Sequence, residues 1–155
     1  MDMTKPVFEL KGHNQFYRYW DSKRNGRFAP ARSDIDPIEI SNLLPNLYIY
    51  KVFRDPLDYQ LTLVGTKIVE MMGADATGQM LGQVLEGRKG VEFIRPLFDR
   101  IVETGEYGYS DLSAQWVDRD YYIFHRLLLP LSDDGQKVNR IIGCAFFTLR
   151  EDKDG

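Results

Sequence analysis

The chain has 155 residues, 43% of them hydrophobic and 28% charged, with a formal net charge of -3. Those proportions describe one folded domain with a single core and exclude a disordered chain. The mildly acidic balance, with Lys and Arg scattered, argues against nucleic acid, which calls for a basic stripe to neutralise phosphates. Cys144 is the one cysteine, so no internal disulfide is expected. With His13 and His125 as the only histidines, a self-contained zinc cage is disfavoured as well. No apolar run reaches the ~20 residues that span a bilayer. The start, Met1-Asp2-Met3-Thr4-Lys5-Pro6, lacks the charged-then-apolar pattern of a signal peptide. The expectation is a soluble, cytoplasmic protein without a membrane or nucleic-acid partner.

Residues 13–23 read as a helix with Phe16, Tyr19 and Trp20 on one face, stopped near Gly26. So large an aromatic stripe must pack on something, either the sheet of its own chain or a second copy. Residues 30–37, Pro-Ala-Arg-Ser-Asp-Ile-Asp-Pro, follow. Their prolines hold the chain extended before Pro30 and poised to start a helix at Pro37. Asp36 is placed to cap that helix, with Glu39 completing a capping box. Arg32 and Asp34 remain, either as a latch pinning the aromatic helix to the core or as exposed recognition residues.

A short helix over residues 37–44 is stopped by Pro45. Residues 47–53 and 59–64, β-branched and aromatic, form a hairpin around the turn at 54–58. Thr66 is expected to cap a helix whose apolar side is Ile68, Met71 and Met72. A loop over 73–78, a short apolar piece over 80–85 and a charged loop over 86–90 come next. A longer helix runs from about 92 to 104, where Ile94, Leu97, Phe98, Ile101 and Val102 recur at helical spacing and Gly105 ends it. Pro96 demands that this helix begin close before it. Three strands close the chain, over 107–113 with Trp116 beyond, 121–131 and 140–150, and a polar tail covers 151–155. The runs Leu127-Leu128-Leu129 and Ile141-Ile142 do not alternate, so the sheet must be covered on both faces. The aromatic helix suits one face and the middle helices the other.

This order, together with Trp20, the motif at 30–37, Leu44-Pro45 and Tyr59-Gln60-Leu61-Thr62-Leu63-Val64-Gly65-Thr66, resembles a known family. Thr77-Gly78, Leu129-Pro130-Leu131 and Ile142-Gly143 add to the match. The chain is similar to the short, alpha-proteobacterial-type PAS proteins. The resemblance implies an α+β PAS fold: an antiparallel five-stranded sheet with a helical crossover and an N-terminal aromatic helix. It divides the single domain into residues 1–37, the helix and latch; 38–150, the PAS core; and the tail. It also implies a sensory or regulatory module signalling through protein contacts, with no agreed ligand.

PAS domains often hold a cofactor between sheet and helices. Haem is disfavoured because the helix at 92–104 carries no histidine ligand. Photoreactive flavin is disfavoured because Cys144 is in the last strand, not on a middle helix, and reads as a small buried thiol. Met71, Met72 and Met80 around the crossover could line an adaptable pocket or simply fill the core. His125 and Arg126 could bind an acidic or phenolic ligand if they face the helices. Gly65-Thr66-Lys67 is a weak anion signal at a helix start. The acid pairs Asp34 with Asp36 and Asp118 with Asp120 lie in turns or caps, and no Ser-His-Asp or Cys-His set is supported, so no enzyme is expected. The functional expectation is a ligand-sensing module, most simply a homodimer joined through Phe16, Tyr19 and Trp20. The alternatives are a ligand-free interaction scaffold and, last, an isomerase-like α+β enzyme needing a buried aspartate base.

Overall fold

The computed structural model describes residues 5–114 and 119–150. Helix α1, Lys11–Arg24, opens the fold, followed by 3₁₀ turns at Arg32–Asp34, Pro37–Ile40 and Leu44–Asn46. Strands β1 (Leu47–Phe53) and β2 (Asp58–Val64) form the hairpin. Helices α2 (Thr66–Met72), α3 (Leu81–Leu85) and α4 (Ile94–Thr104) make the crossover. Strands β3 (Gly108–Ala114), β4 (Arg119–Leu131) and β5 (Arg140–Leu149) complete one sheet in the order β2-β1-β5-β4-β3, with every pairing antiparallel. Trp116, Asp118 and the polar tail lie outside the described residues.

Both faces of this sheet are apolar because consecutive strand residues point to opposite sides. Tyr48, Tyr50 and Val52 of β1, with Phe124 and Leu128 of β4, face α2 to α4. Leu47 and Ile49, with Leu127 and Leu129, face α1. The non-alternating runs therefore feed two cores, one under each cover. Phe16 and Trp20 are buried in the α1 core, where each removes apolar surface worth about 1.5–3 kcal/mol from water. Trp20 Nε1 donates to the Pro130 carbonyl oxygen at 2.8 Å, and His13 Nε2 bonds the Cys144 carbonyl oxygen at 2.9 Å. These two bonds tie the helix to β4 and β5 at both ends.

Two glycines are required by close approach. The Tyr48 ring lies flat over Gly143, its register partner on β5, and a Cβ there would stand 2.3 Å from Tyr48 Cζ. A Cβ on Gly65 would meet the Pro45 carbonyl oxygen at 2.3 Å. Pro130 lies past the last β3 pairing at Leu128, where β4 has only β5 beside it, so its missing N–H breaks no ladder with β3. Pro96 is the third residue of α4, within the first turn as expected.

Several local expectations change. The helix over 37–44 is two 3₁₀ turns, since Pro45 and the turn before it interrupt it after one turn. Gly65, not Thr66, occupies the α2 N-cap, and no side chain caps it. Its crowding against the carbonyl oxygens of Leu44 and Pro45 makes that helix start a poor place for an anion. Asp36 does cap the turn at Pro37, accepting from the Ile38 N–H at 3.0 Å. Glu39, however, does not close a capping box. The Asp36 N–H donates to the Tyr19 hydroxyl at 2.8 Å, and that hydroxyl donates to Glu39 Oε1 at 2.8 Å.

Candidate functional site

The candidate site lies between the sheet and the crossover helices, in a cavity of about 60 Å³. Its floor is Tyr48 and Tyr50 from β1 with Phe124 and Arg126 from β4. Ile68 of α2, Leu81 and Val84 of α3, and Phe98 of α4 roof it. Met72, Ala74 and Ala76, all partly or fully exposed, form its mouth. Tyr50 meets Phe98 edge-on with centroids 5.1 Å apart, and Phe98 meets Tyr59 in the same way. Tyr59 then donates to Asp99 of α4 at 2.5 Å, fixing α4 over β2. Arg95 of α4 also reaches Asp58 of β2 at 3.3 Å, so aromatic packing and polar contacts hold α4 over the hairpin, while the segment before α3 pairs with the edge of β2.

Arg126 is the chemically informative residue of this wall. It is 4% exposed, and Cζ stands 4.2 Å over the Phe124 ring and 5.3 Å over that of Phe93. Burial lowers its pKa from the usual 12.5, while its neighbours Tyr48 and Tyr50 raise it. Burial in turn pushes Tyr48 up to about 12 and raises Tyr50 as well, so both phenols are neutral at pH 7. No Asp or Glu stands among the described residues of the cavity wall. A carboxylate base of the kind an isomerase uses is therefore not placed there.

A family model described as PAS domain matches residues 9–146. The chain belongs to the PAS domain family. Among curated proteins nothing matches it. Its fold is similar to that of a light-oxygen-voltage domain solved in a study of a flavin analogue. The TM-score is 0.53 and the identity 14%, over 76% of this chain and 84% of that one. It is also similar to the LOV protein of Rhodobacter sphaeroides, with TM-score 0.51 and 11% identity over 73% and 68% of the two chains. At such identities the likeness concerns the fold alone. It agrees with the five-stranded antiparallel sheet and helical crossover described above.

Of the five residues considered for ligand contact, the PAS cavity takes two, Met72 and Arg126. Met71 points out beside Asn46, Lys67 and Tyr122. Met80 forms a bridge with Gln60 along the outer edge of β2, next to Asp58 and Arg95. His125 faces the opposite side of the sheet from Arg126, because adjacent strand residues alternate. There its Nε2 meets Thr148 Oγ1 at 2.8 Å and its Nδ1 meets the Tyr109 hydroxyl at 3.5 Å. Cys144 is also on the α1 side, fully buried and with its pKa raised by burial, so its thiol does not reach the cavity. No three His, Cys, Asp or Glu side chains group closely enough for a metal ion among the described residues.

The latch is built differently from the sequence expectation. Arg32 and Asp34 do not pair: Asp34 accepts from Arg27 at 2.9 Å and from the Ala31 N–H at 2.9 Å, which holds its carboxyl below the usual range. Arg32 donates instead to the Ile35 carbonyl oxygen at 3.2 Å. Tyr19 links α1 directly to the motif, with Lys23 of the same helix reaching Glu39 at 3.1 Å. Arg27 joins Asp34 to the Lys23 carbonyl oxygen at the end of α1, 2.9 Å from each. Phe16 and Trp20 are covered by the chain's own sheet, so these side chains are not available as a seam for a second copy. Lys11, Arg18 and Ser22 occupy the exposed face of α1. Sequence reasoning missed Tyr48, Tyr50 and Phe124 as cavity residues. The signal was present in the period-two alternation of 48, 50 and 52 and of 124, 126 and 128.

Proposed function

We propose that this chain is a non-catalytic sensory PAS module that binds a small molecule in the cavity between sheet and crossover and passes occupancy on through protein contacts. The supporting observation is a buried cation, Arg126, set in an otherwise aromatic and aliphatic cavity whose mouth opens at Met72 and Ala74. A charge is costly to bury, and perturbed ionisable groups in clefts cluster at functional sites. A flavin is a poor candidate: drug-sized ligands occupy pockets of ~300–1,000 Å³, against about 60 Å³ here. Haem fares no better, since α4 offers no histidine and His13 and His125 are both on the α1 side.

The same small volume favours the second reading, a ligand-free scaffold whose cavity is a packing remainder. Native mass spectrometry of the purified protein, with analysis of what it releases on denaturation, separates the two. A retained small molecule in stoichiometric amount supports sensing. A clean apo mass, with no thermal shift from a small-molecule library, leaves the scaffold. Output by protein contact has a second copy of the chain as its first partner to test. Sedimentation at tens of micromolar giving a one-chain mass, with and without ligand, removes that partner.

A further inference from the structure

At the β3 end of the sheet, α1 and α4 leave a groove of about 540 Å³, a size that small molecules occupy. Tyr17 and Trp20 of α1, Leu97 and Ile101 of α4, and Tyr107 and Tyr109 make its apolar wall. Tyr107 is 42% exposed, its ring edge-on to those of Tyr17 and Phe8 with centroids 6.0 and 5.7 Å apart. Tyr17 is 9% exposed, yet its hydroxyl makes no hydrogen bond among the described residues, where a buried tyrosine usually finds a partner. Burial raises its pKa, so the phenol keeps a proton to donate, and of the charges acting on it Arg24 is the strongest, ahead of Asp21. Arg24 also lines the groove, but it is engaged: Cζ is 4.6 Å over the Trp20 ring and Nε donates to Asp21 at 2.8 Å. Arg100 is different. It lines the groove, is exposed, and its side chain has no hydrogen bond or ion pair among the described residues. Glu106, the acid of the lining, has no side-chain partner there either.

We propose that this groove binds a small aromatic monocarboxylate, its ring against Tyr107 and its carboxylate on Arg100, with the Tyr17 hydroxyl as a further donor. The site is separate from the cavity between sheet and crossover and does not depend on the sensory reading of it. An exposed guanidinium offers a carboxylate two parallel hydrogen bonds, and charge-assisted bonds are roughly twice as strong as neutral ones. The tyrosine rings favour an aromatic body over an aliphatic one, because aromatic pairs gain beyond their buried area. Glu106 limits the charge to one, since a second anionic group would meet it, while a cationic ligand would meet Arg24 and Arg100. A ligand here touches α1, α4 and the start of β3 at once, and so fastens the two covers to one another at the edge of the sheet.

The test is calorimetric titration of the full chain with phenylacetate, its neutral counterpart phenylacetamide, and cyclohexylacetate, which keeps the charge and loses the aromatic ring. Phenylacetate is expected to bind about fivefold more tightly than either. Arg100→Gln and Tyr17→Phe are each expected to weaken it about fivefold. Both should fold, because neither side chain loses a hydrogen bond to the described chain. Glu106→Gln is expected to tighten phenylacetate about twofold. Equal binding of phenylacetate and phenylacetamide overturns the proposal, as does no binding of phenylacetate at millimolar concentration. Binding that both Arg100→Gln and Tyr17→Phe leave unchanged is located elsewhere, the cavity included, and overturns the groove as the site. Phenylalanine binding more tightly than phenylacetate, and weakened by Glu106→Gln, overturns the monocarboxylate class.

Discussion

Tyr19 carries the link that the motif at 30–37 suggested for Arg32 and Asp34. Its hydroxyl accepts from the Asp36 N–H and donates to Glu39, so it stands in for the glutamate of a capping box while belonging to another helix. Tyr19→Phe leaves that N–H without its acceptor, and we expect it to cost about 1 kcal/mol in urea denaturation. Arg32→Ala removes one 3.2 Å bond to a carbonyl oxygen and is expected to cost visibly less. A larger loss for Arg32→Ala would return the latch to that residue. His13 makes a second residue-scale case. Buried among Phe8, Tyr109 and Phe146, it has its pKa lowered from 6.5 to about 4, mainly by desolvation, with His125 adding to the effect. The folded chain then binds this proton less readily than the unfolded one. Stability is full above pH 6.5, falls as pH drops towards 4, and levels off below it. One pKa unit is worth about 1.4 kcal/mol, so with solvent screening the loss is about 2 kcal/mol. Asp21, Asp34 and Asp133, whose pKa values are lowered, also lose stability on acidification. Melting curves of wild type and His13→Gln from pH 7 to 4 isolate the histidine share. Parallel curves would mean that His13 contributes none.

Among the elements, β1 and β5 show how a motif that reads as family signature has a steric cause. Ile142-Gly143 is where the Tyr48 ring crosses β5, and a side chain at 143 has nowhere to go. Gly143→Ala is expected to cost about 3 kcal/mol by overpacking, the upper end of such changes, because the clash is with a ring held in the core. Adding Tyr48→Ala should recover part of that loss, a coupling that a double-mutant cycle in thermal melts measures. If the two costs simply add, the ring is not what excludes the side chain. The same alternation explains why His125 and Arg126 were never both available to one pocket. Strand periodicity at 124, 126 and 128 was readable, and it already divided the pair. The methionines were less legible. Met72 is at the mouth and Met80 is drawn to the outer edge of β2, where Gly78 N–H donates to the Leu61 carbonyl oxygen at 2.7 Å and Leu61 N–H to that of Gln79 at 2.9 Å. No periodicity announces a loop that pairs with a strand edge.

At the scale of the whole molecule, the sheet divides two cores with different uses. The α1 side, closed by Phe16, Trp20 and Leu127, Leu129 and Leu131 of β4, holds the histidine rings and the thiol. The crossover side contains the cavity and its cation. No helix among the described residues is long and apolar enough to cross a membrane, in line with the absence of such a run in the sequence. The sequence by itself determined the element order, the need to cover both faces of the sheet and the PAS family, because these follow from apolar periodicity, turn residues and local motifs. Only the tertiary structure decided which cover meets which face, that the aromatic helix closes on its own sheet, and that Tyr19 makes the latch. It also decided that Arg126, and not His125, enters the cavity. The reason is physical: a side chain's partner across long sequence separation depends on register and packing, whereas the chain's local preferences fix only which face it is on.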